Sequence, residues 1–320
     1  MQRATHSSLI DLLKKQKYQI VGKHSAVKKC RWLHESLVHG RPCYKQKFYG
    51  IASLKCLQMT PTLICNLRCR FCWRVQPEDL GLECYGIESE GWEDPDFIIE
   101  ESIRAQRRIL SGYKSQVKEG KISHERYEEA LNPKHAAISL DGEPTLYPYI
   151  GDLIEKFHKR DFTTFLVTNG TQPDVLSGLK EEHTQLYVSL YATDEKEFVD
   201  VCKPLGHHYW KRIIQTLEAL TTFKCLTVIR LTLVKGLNMQ SVNGYAKLIL
   251  KASPTYVEPK AFMYVGNARK RLGFENMPSY SEIRDFSSKL AEKLSYNVID
   301  SSEESRVVLL SKLDKPIKLA

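Results

Sequence analysis

The stretch Cys65-Asn66-Leu67-Arg68-Cys69-Arg70-Phe71-Cys72 carries three thiols separated by three and then by two residues. It follows a β-rich run at residues 57–63, so the thiols sit on a loop leaving a strand. A structural zinc site needs four closing ligands, and no fourth Cys or His lies nearby in the sequence. Three thiolates on a four-iron cluster instead leave one iron open, able to bind and activate a ligand. The alternative is three buried structural thiols that share this spacing by chance.

Further β-rich runs lie at residues 135–140, 163–168, 185–190, 227–234 and 255–262. Helical patterns at 95–119, 149–159, 173–179, 209–220 and 239–251 separate them, and another follows at 280–294. Strands alternating with helices predict an α/β fold with a parallel sheet. Six such units are too few for an eight-stranded barrel, so an open partial (β/α)6 barrel is expected. On that scheme the unusual residues fall at strand C-terminal ends. The cysteine loop follows the first strand, Asp141-Gly142-Glu143-Pro144 the second and Asn169-Gly170 the third, while Ser189 and Tyr191 end the fourth. They would share the face on which such sheets build their sites. No repeat, low-complexity run or Pro/Gly/Ser linker divides the chain, so a single domain is expected over 1–320. Its parts would be an N-terminal extension (1–56), a partial-barrel core (57–265) and a C-terminal helix and tail (266–320).

With 320 residues, 42% hydrophobic and 27% charged, the chain can bury a sizeable core, which excludes a disordered or disulfide-stapled scaffold. Nine cysteines, an odd number, suit metal ligation in a reducing compartment. The N-terminus has no continuous apolar core, and no run approaches membrane-spanning length. A cytoplasmic protein without a membrane span is the expectation. The net charge of +9 concentrates between Lys14 and Lys55, where eleven Lys and Arg residues face only Glu35. Tyr18, Trp32, Tyr44, Phe48 and Tyr49 are interleaved with them, a composition suited to phosphates and unstacked bases of looped RNA.

At its cysteine loop, with Phe71 before the last thiol, the chain resembles the radical S-adenosylmethionine (SAM) superfamily. The resemblance implies a [4Fe–4S] cluster on Cys65, Cys69 and Cys72 whose open iron chelates SAM and cleaves it to a 5′-deoxyadenosyl radical. Gly142-Glu143-Pro144 resembles the family's GGEP-type segment, with Asp141 in place of the first glycine. That segment meets the methionine end of SAM. Its alternative is an ordinary turn with Pro144 opening a helix. Asn169 and Ser189 become candidate ribose or carboxylate contacts, or helix caps.

A second set, Cys30, Cys43 and Cys56, is spaced by twelve residues each time. Such ligands meet only through tertiary folding, and three buried free thiols are the alternative. The set lies in the most basic stretch, where cations lower thiol pKa. The combined spacing, with 43–50, Phe71-Cys72-Trp73-Arg74, the segment 139–148 and Glu258-Pro259-Lys260, resembles the tRNA 4-demethylwyosine synthases in their single-domain archaeal form. The likeness runs over nearly the whole chain.

The resemblance implies an enzyme that condenses 1-methylguanosine, beside the anticodon of tRNA-Phe, with two carbons of pyruvate. A second [4Fe–4S] cluster on Cys30, Cys43 and Cys56 would chelate pyruvate through its open iron. A lysine would form a Schiff base with the ketone. Lys45 is the first candidate and Lys47 the second, with phosphate contact as the alternative role. The substrate base would be flipped out of the loop. Tyr44, Tyr49 and Trp73 would stack on it or else shield the clusters. Arg74, Arg230 and Lys260 would bind phosphate or SAM carboxylate. Glu258 would accept a hydrogen bond from a base, unless it pairs with Lys260 along its strand. A separate electron donor and a monomeric state complete the expectation. Cys84, Cys202 and Cys225 receive no role. Two rivals remain: a radical SAM enzyme acting on another RNA, and a non-catalytic iron–sulfur RNA-binding module. The module leaves Gly142-Glu143-Pro144 unexplained, and a reaction without pyruvate would select the other enzyme.

Overall fold

The computed structural model describes residues 6–83 and 91–319, with backbone only for 6–8. Cys84 lies outside the described residues. Contacts divide the chain into two compact units. The first comprises Met1–Ile64, Leu80–Leu166 and Ile317–Ala320, and the second Cys65–Asp79 and Val167–Pro316.

The first unit begins with α1 (His6–Lys15) and a hairpin, β1 (Tyr18–Val21) and β2 (Ser25–Lys28), followed by α2 (Arg31–His39), α3 (Tyr44–Tyr49) and β3 (Cys56–Thr60). It continues with α4 (Pro95–Ser111), α5 (Lys114–Lys118), α6 (His124–Leu131), β4 (His135–Ile138), α7 (Ile150–His158) and β5 (Thr163–Thr168), whose last two residues belong to the second unit. β3, β4 and β5 pair in parallel, as the apolar runs require. β2 adds antiparallel to β3 through Ala26↔Thr60 and Val27↔Met59. α4 starts where Asp94 caps the Asp96 amide ahead of Pro95, a combination that stabilises a helix start by about 1 kcal/mol.

The second unit holds α8 (Pro173–Ser177), β6 (Gln185–Ser189), α9 (Glu195–Cys202), α10 (Tyr209–Ala219), β7 (Leu226–Leu233), α11 (Val242–Ala252), β8 (Tyr256–Ala261), α12 (Tyr280–Leu294), β9 (Asn297–Ser302) and β10 (Val307–Ser311). β6, β7 and β8 are parallel, and β10 closes onto β8 antiparallel with β9 outside it. Ser279 and Glu282 form a reciprocal capping box at the start of α12.

All six predicted strands are present, with ends shifted by up to three residues. Within the N-terminal extension, residues 18–28 form a hairpin bonded into the sheet, with Tyr18, Val21, Ala26 and Val27 buried. Two expectations need correction. The tail expected after α12 is a hairpin whose inner strand, β10, is buried along its whole length. The helix expected over 95–119 breaks at Gly112 into α4 and α5. The aromatic residues of the basic stretch also differ from their expected use. Tyr18, Tyr44, Phe48 and Tyr49 are all buried, since each short element must bury its one apolar face to be stable. The lysines remain outside while most of the rings fill the core. No described helix is long and apolar enough to cross a membrane.

Two candidate cysteine centres

In the second unit the 65–72 loop is clamped against the C-terminal end of α9. The Arg68 and Arg70 amides donate to the carbonyls of Cys202 and Val201 at 2.9 and 3.0 Å, and the Leu205 amide donates to Asn66 O at 3.0 Å. Leu67 and Pro204 form an isolated antiparallel bridge. The Arg68 guanidinium reaches back to Cys65 O at 2.7 Å while pairing with Glu78 at 2.6 Å. Arg271 pairs with Asp79 at 2.6 Å and donates to the carbonyls of Arg70 and Cys72. Asn169, at the end of β5, donates to Asn66 Oδ1 at 2.9 Å and accepts from Thr171, so it supports the loop. Phe71 packs edge-on against Tyr191 at 4.7 Å, and the Tyr191 hydroxyl meets Ser189. Arg74 lies over the Trp73 ring and points Nη1 toward Cys72 Sγ at 4.0 Å. A fourth thiol, to which the sequence assigns no role, joins this group: Cys202, fully buried, hydrogen-bonds with Cys69. That bond and burial hold the Cys69 thiol well above its ordinary pKa.

In the first unit, Gly142 takes φ +64°, and a Cβ there would stand 2.2 Å from Thr62 O and 2.7 Å from Ile64 O. Only glycine lets the backbone pass this close. The Glu143 amide donates to Ile64 O at 2.8 Å, next to the start of the cysteine loop. The buried Glu143 carboxylate accepts from Thr145 Oγ1 at 2.6 Å and caps the short turn that Pro144 opens.

Cys30, Cys43 and Cys56 also lie in the first unit. Cys30 and Cys43 each stand at the N-cap of a helix, α2 and α3, and Cys56 opens β3. The Cys43 amide is fixed by Ser53 Oγ at 2.8 Å. Burial pushes the Cys56 thiol up to about 12, with neighbouring Cys30 and Cys43 adding to the rise and Lys45 opposing it. Burial likewise raises Cys30. The expected cationic lowering of Cys30 and Cys56 is therefore outweighed by desolvation, although Lys45 acts on both. Lys45 Nζ lies 5.1 Å from the centre of the Phe165 ring. Lys47 is exposed, and its carbonyl accepts from Lys318.

Farther along the second unit, Glu258 is fully buried on β8 and binds Arg230 of β7 at 2.7 Å, with the Tyr187 hydroxyl at 3.4 Å. Lys260 donates to Ser305 O at 2.5 Å. Removing one member of a buried pair strands the other's charge. Arg230→Leu is expected to cost about 3–5 kcal/mol in urea unfolding. Glu258→Gln, which keeps an acceptor, should cost visibly less, and equal losses would contradict a charge-based pairing.

Among the described residues no three His, Cys, Asp or Glu side chains converge tightly enough to share one metal ion. Each cysteine of a [4Fe–4S] cluster binds a different iron, so its ligands surround a volume rather than a point. Two sets of three undisulfided thiols suit that donor pattern better than zinc.

Two family models match the chain: "Radical SAM superfamily" over residues 59–249 and "Wyosine base formation" over 251–312. An S-adenosyl-L-methionine-dependent tRNA 4-demethylwyosine synthase of Pyrococcus abyssi is 53% identical over 95% of this chain and 88% of that one. One from Methanocaldococcus jannaschii is 42% identical over 96% of each. A solved structure of TYW1 with a lysine-pyruvate adduct bound superposes with TM-score 0.87 and 39% identity over 99% of this chain and 100% of that one. An archaeal TYW1 crystal structure gives TM-score 0.79 at 36% identity, covering 97% of each chain.

Proposed function

The chain belongs to the tRNA 4-demethylwyosine synthase family of radical SAM enzymes, and from that premise we propose how its residues divide the reaction. Its role lies in wyosine base formation. The substrate is 1-methylguanosine in the anticodon loop of tRNA-Phe, condensed with a two-carbon unit from pyruvate. Cys65, Cys69 and Cys72 would hold the [4Fe–4S] cluster, which with SAM would supply the one-electron chemistry for removing hydrogen from an N-methyl group. Cys30, Cys43 and Cys56 would hold a second [4Fe–4S] cluster, which would supply a Lewis-acidic partner for an α-keto acid.

Gly142 and Glu143 hold the backbone at the start of the first loop, and Asn169 and Ser189 set its supports. The single observation that carries the pyruvate assignment is Lys45, set among Cys30, Cys56 and Phe165. Its amine attacks the ketone carbon and water leaves, giving an imine that withdraws electrons from C2. A relative of the same fold is known with a lysine-pyruvate adduct. The Phe165 face favours a cationic imine as it does the ammonium. Exposed Lys14, Lys15, Lys17 and Lys23 supply phosphate contacts. Tyr44 and Tyr49, being buried, shield the second centre, whereas Trp73 and Arg74 keep partial exposure for contact with the base. A separate low-potential protein delivers electrons, and the enzyme works as a cytoplasmic monomer.

Protein reconstituted without oxygen should convert SAM, pyruvate and 1-methylguanosine tRNA, with a reductant, into 5′-deoxyadenosine and a tricyclic base. Leaving out pyruvate should abolish the base. A modified base formed without pyruvate would move the assignment to a different RNA reaction.

A further inference from the structure

The segment that follows β8, residues 262–277, forms a rim of the second unit at the C-terminal end of its parallel strands. Two short 3-10 turns, Gly266–Lys270 and Phe274–Asn276, shape it. One side is bonded onto the exit of the cysteine loop. The Asn267 amide donates to Trp73 O at 2.8 Å, and Gly266, at φ +58°, passes so close that a Cβ would stand 2.3 Å from the same oxygen. Arg271 holds the Asp79 carboxylate and the carbonyls of Arg70 and Cys72. The other side is tied to the residues after β7: the Lys235 amide donates to Asn276 O, and Asn276 Nδ2 donates to Lys235 O, both at 2.9 Å. A surface fixed in this way has little freedom left to lose on binding. Its outward side chains are apolar and cationic. Phe274 is 66% exposed, more than any other large hydrophobic side chain among the described residues. Its ring meets Tyr264 edge-on at 5.9 Å, the Arg269 guanidinium lies over the Tyr264 ring at 5.4 Å, and Arg269 and Lys270 are both exposed.

A single exposed ring is ordinary on a protein surface. A ring, a cation-covered tyrosine and two exposed cations on one anchored rim are the elements that hold unstacked bases and their phosphates. We propose that residues 264–274 grip the anticodon loop of the tRNA substrate, with Phe274 stacking on an unpaired base and Arg269 and Lys270 binding phosphates. Two observations favour RNA as the occupant. The rim borders the cysteine loop through Trp73, so a loop lying on it is held beside the residues that act on its base. It also lies wholly within the 251–312 stretch matched by "Wyosine base formation" and beyond the 59–249 stretch matched by the wider superfamily. Contacts peculiar to this tRNA belong in the part of the chain peculiar to this chemistry. The proposal rests on the reading of tRNA as the substrate and adds a second contact surface to the exposed lysines of the first unit.

The test is fluorescence anisotropy of a labelled anticodon stem-loop carrying 1-methylguanosine, titrated with the full-length chain across a series of salt concentrations. In Phe274→Ala the dissociation constant should rise about five- to hundredfold, the range of one base–aromatic stack. Phe274→Trp should bind at least as well as wild type, whereas Phe274→Leu, apolar but not flat, should weaken with alanine. In the double variant Arg269→Gln, Lys270→Gln the slope of log affinity against log salt should shrink by about 1.4, the value of two phosphate contacts on a single strand. Wild-type affinity in Phe274→Ala, or recovery in Phe274→Leu, would overturn the stacking role. An unchanged salt slope in the double variant would overturn the phosphate contacts. Unchanged RNA binding, with turnover that falls on a protein reductant and recovers on dithionite, would give the rim to an acidic electron donor instead. A wild-type chain that does not bind the stem-loop would overturn the tRNA reading itself.

Discussion

Lys45→Arg should lower formation of the tricyclic base by at least about 10³-fold, because a covalently held substrate gains its advantage from proximity and orientation. Arginine retains the positive charge near Cys30 and Cys56 but cannot form an imine at neutral pH. The phosphate-contact alternative makes the opposite forecast: arginine would then serve as well as lysine. Borohydride with labelled pyruvate should tag the wild-type chain and leave Lys45→Arg unlabelled. 5′-Deoxyadenosine release should persist in the variant, since the cysteine loop is untouched. Lys47→Arg should keep activity within a few-fold, its side chain being exposed. Trapping that survives in Lys45→Arg and vanishes in Lys47→Arg would reverse the assignment.

Replacing Cys30, Cys43 and Cys56 together by alanine should lower bound iron from about eight to about four per chain. The variant should still cleave SAM but make no tricyclic base. The complementary variant, Cys65, Cys69 and Cys72 to alanine, should lose both activities while also retaining about four irons. The pair of results separates the two centres without depending on either alone. A triple variant of the first set that keeps all its iron, with normal product, would return those residues to the status of buried thiols. Because Cys56 opens β3 and Cys30 and Cys43 stand at helix N-caps, circular dichroism should first establish that the variant is folded.

The choice between Lys45 and Lys47 shows where one-dimensional reading stops. Both are close to Cys43 in sequence, but they lie on α3, where two residues turn the side chain by about 200°. They must face opposite sides, and only packing says which side meets Cys30 and Cys56. The aromatic residues illustrate a different loss. Composition alone cannot distinguish a ring that stacks on a base from one that closes a core, and the 18–28 hairpin and α3 used theirs for the core. The strands of that hairpin are four residues each, too short for a clear alternation amid lysines. β10 rests on Val307-Val308-Leu309-Leu310, an apolar run of a strand buried on both faces.

The sequence by itself determined the six strands, the Cys65-Cys69-Cys72 spacing and Gly142-Glu143-Pro144. These are short-range features: apolar runs set the strands, thiols two or three residues apart must share a loop, and a positive φ wants glycine. Tertiary structure alone decided that Glu258 answers to Arg230 and that Cys202 stands against Cys69. Each of these depends on which face of an element is turned inward. That choice minimises exposed apolar surface over the whole chain, and no local pattern encodes it.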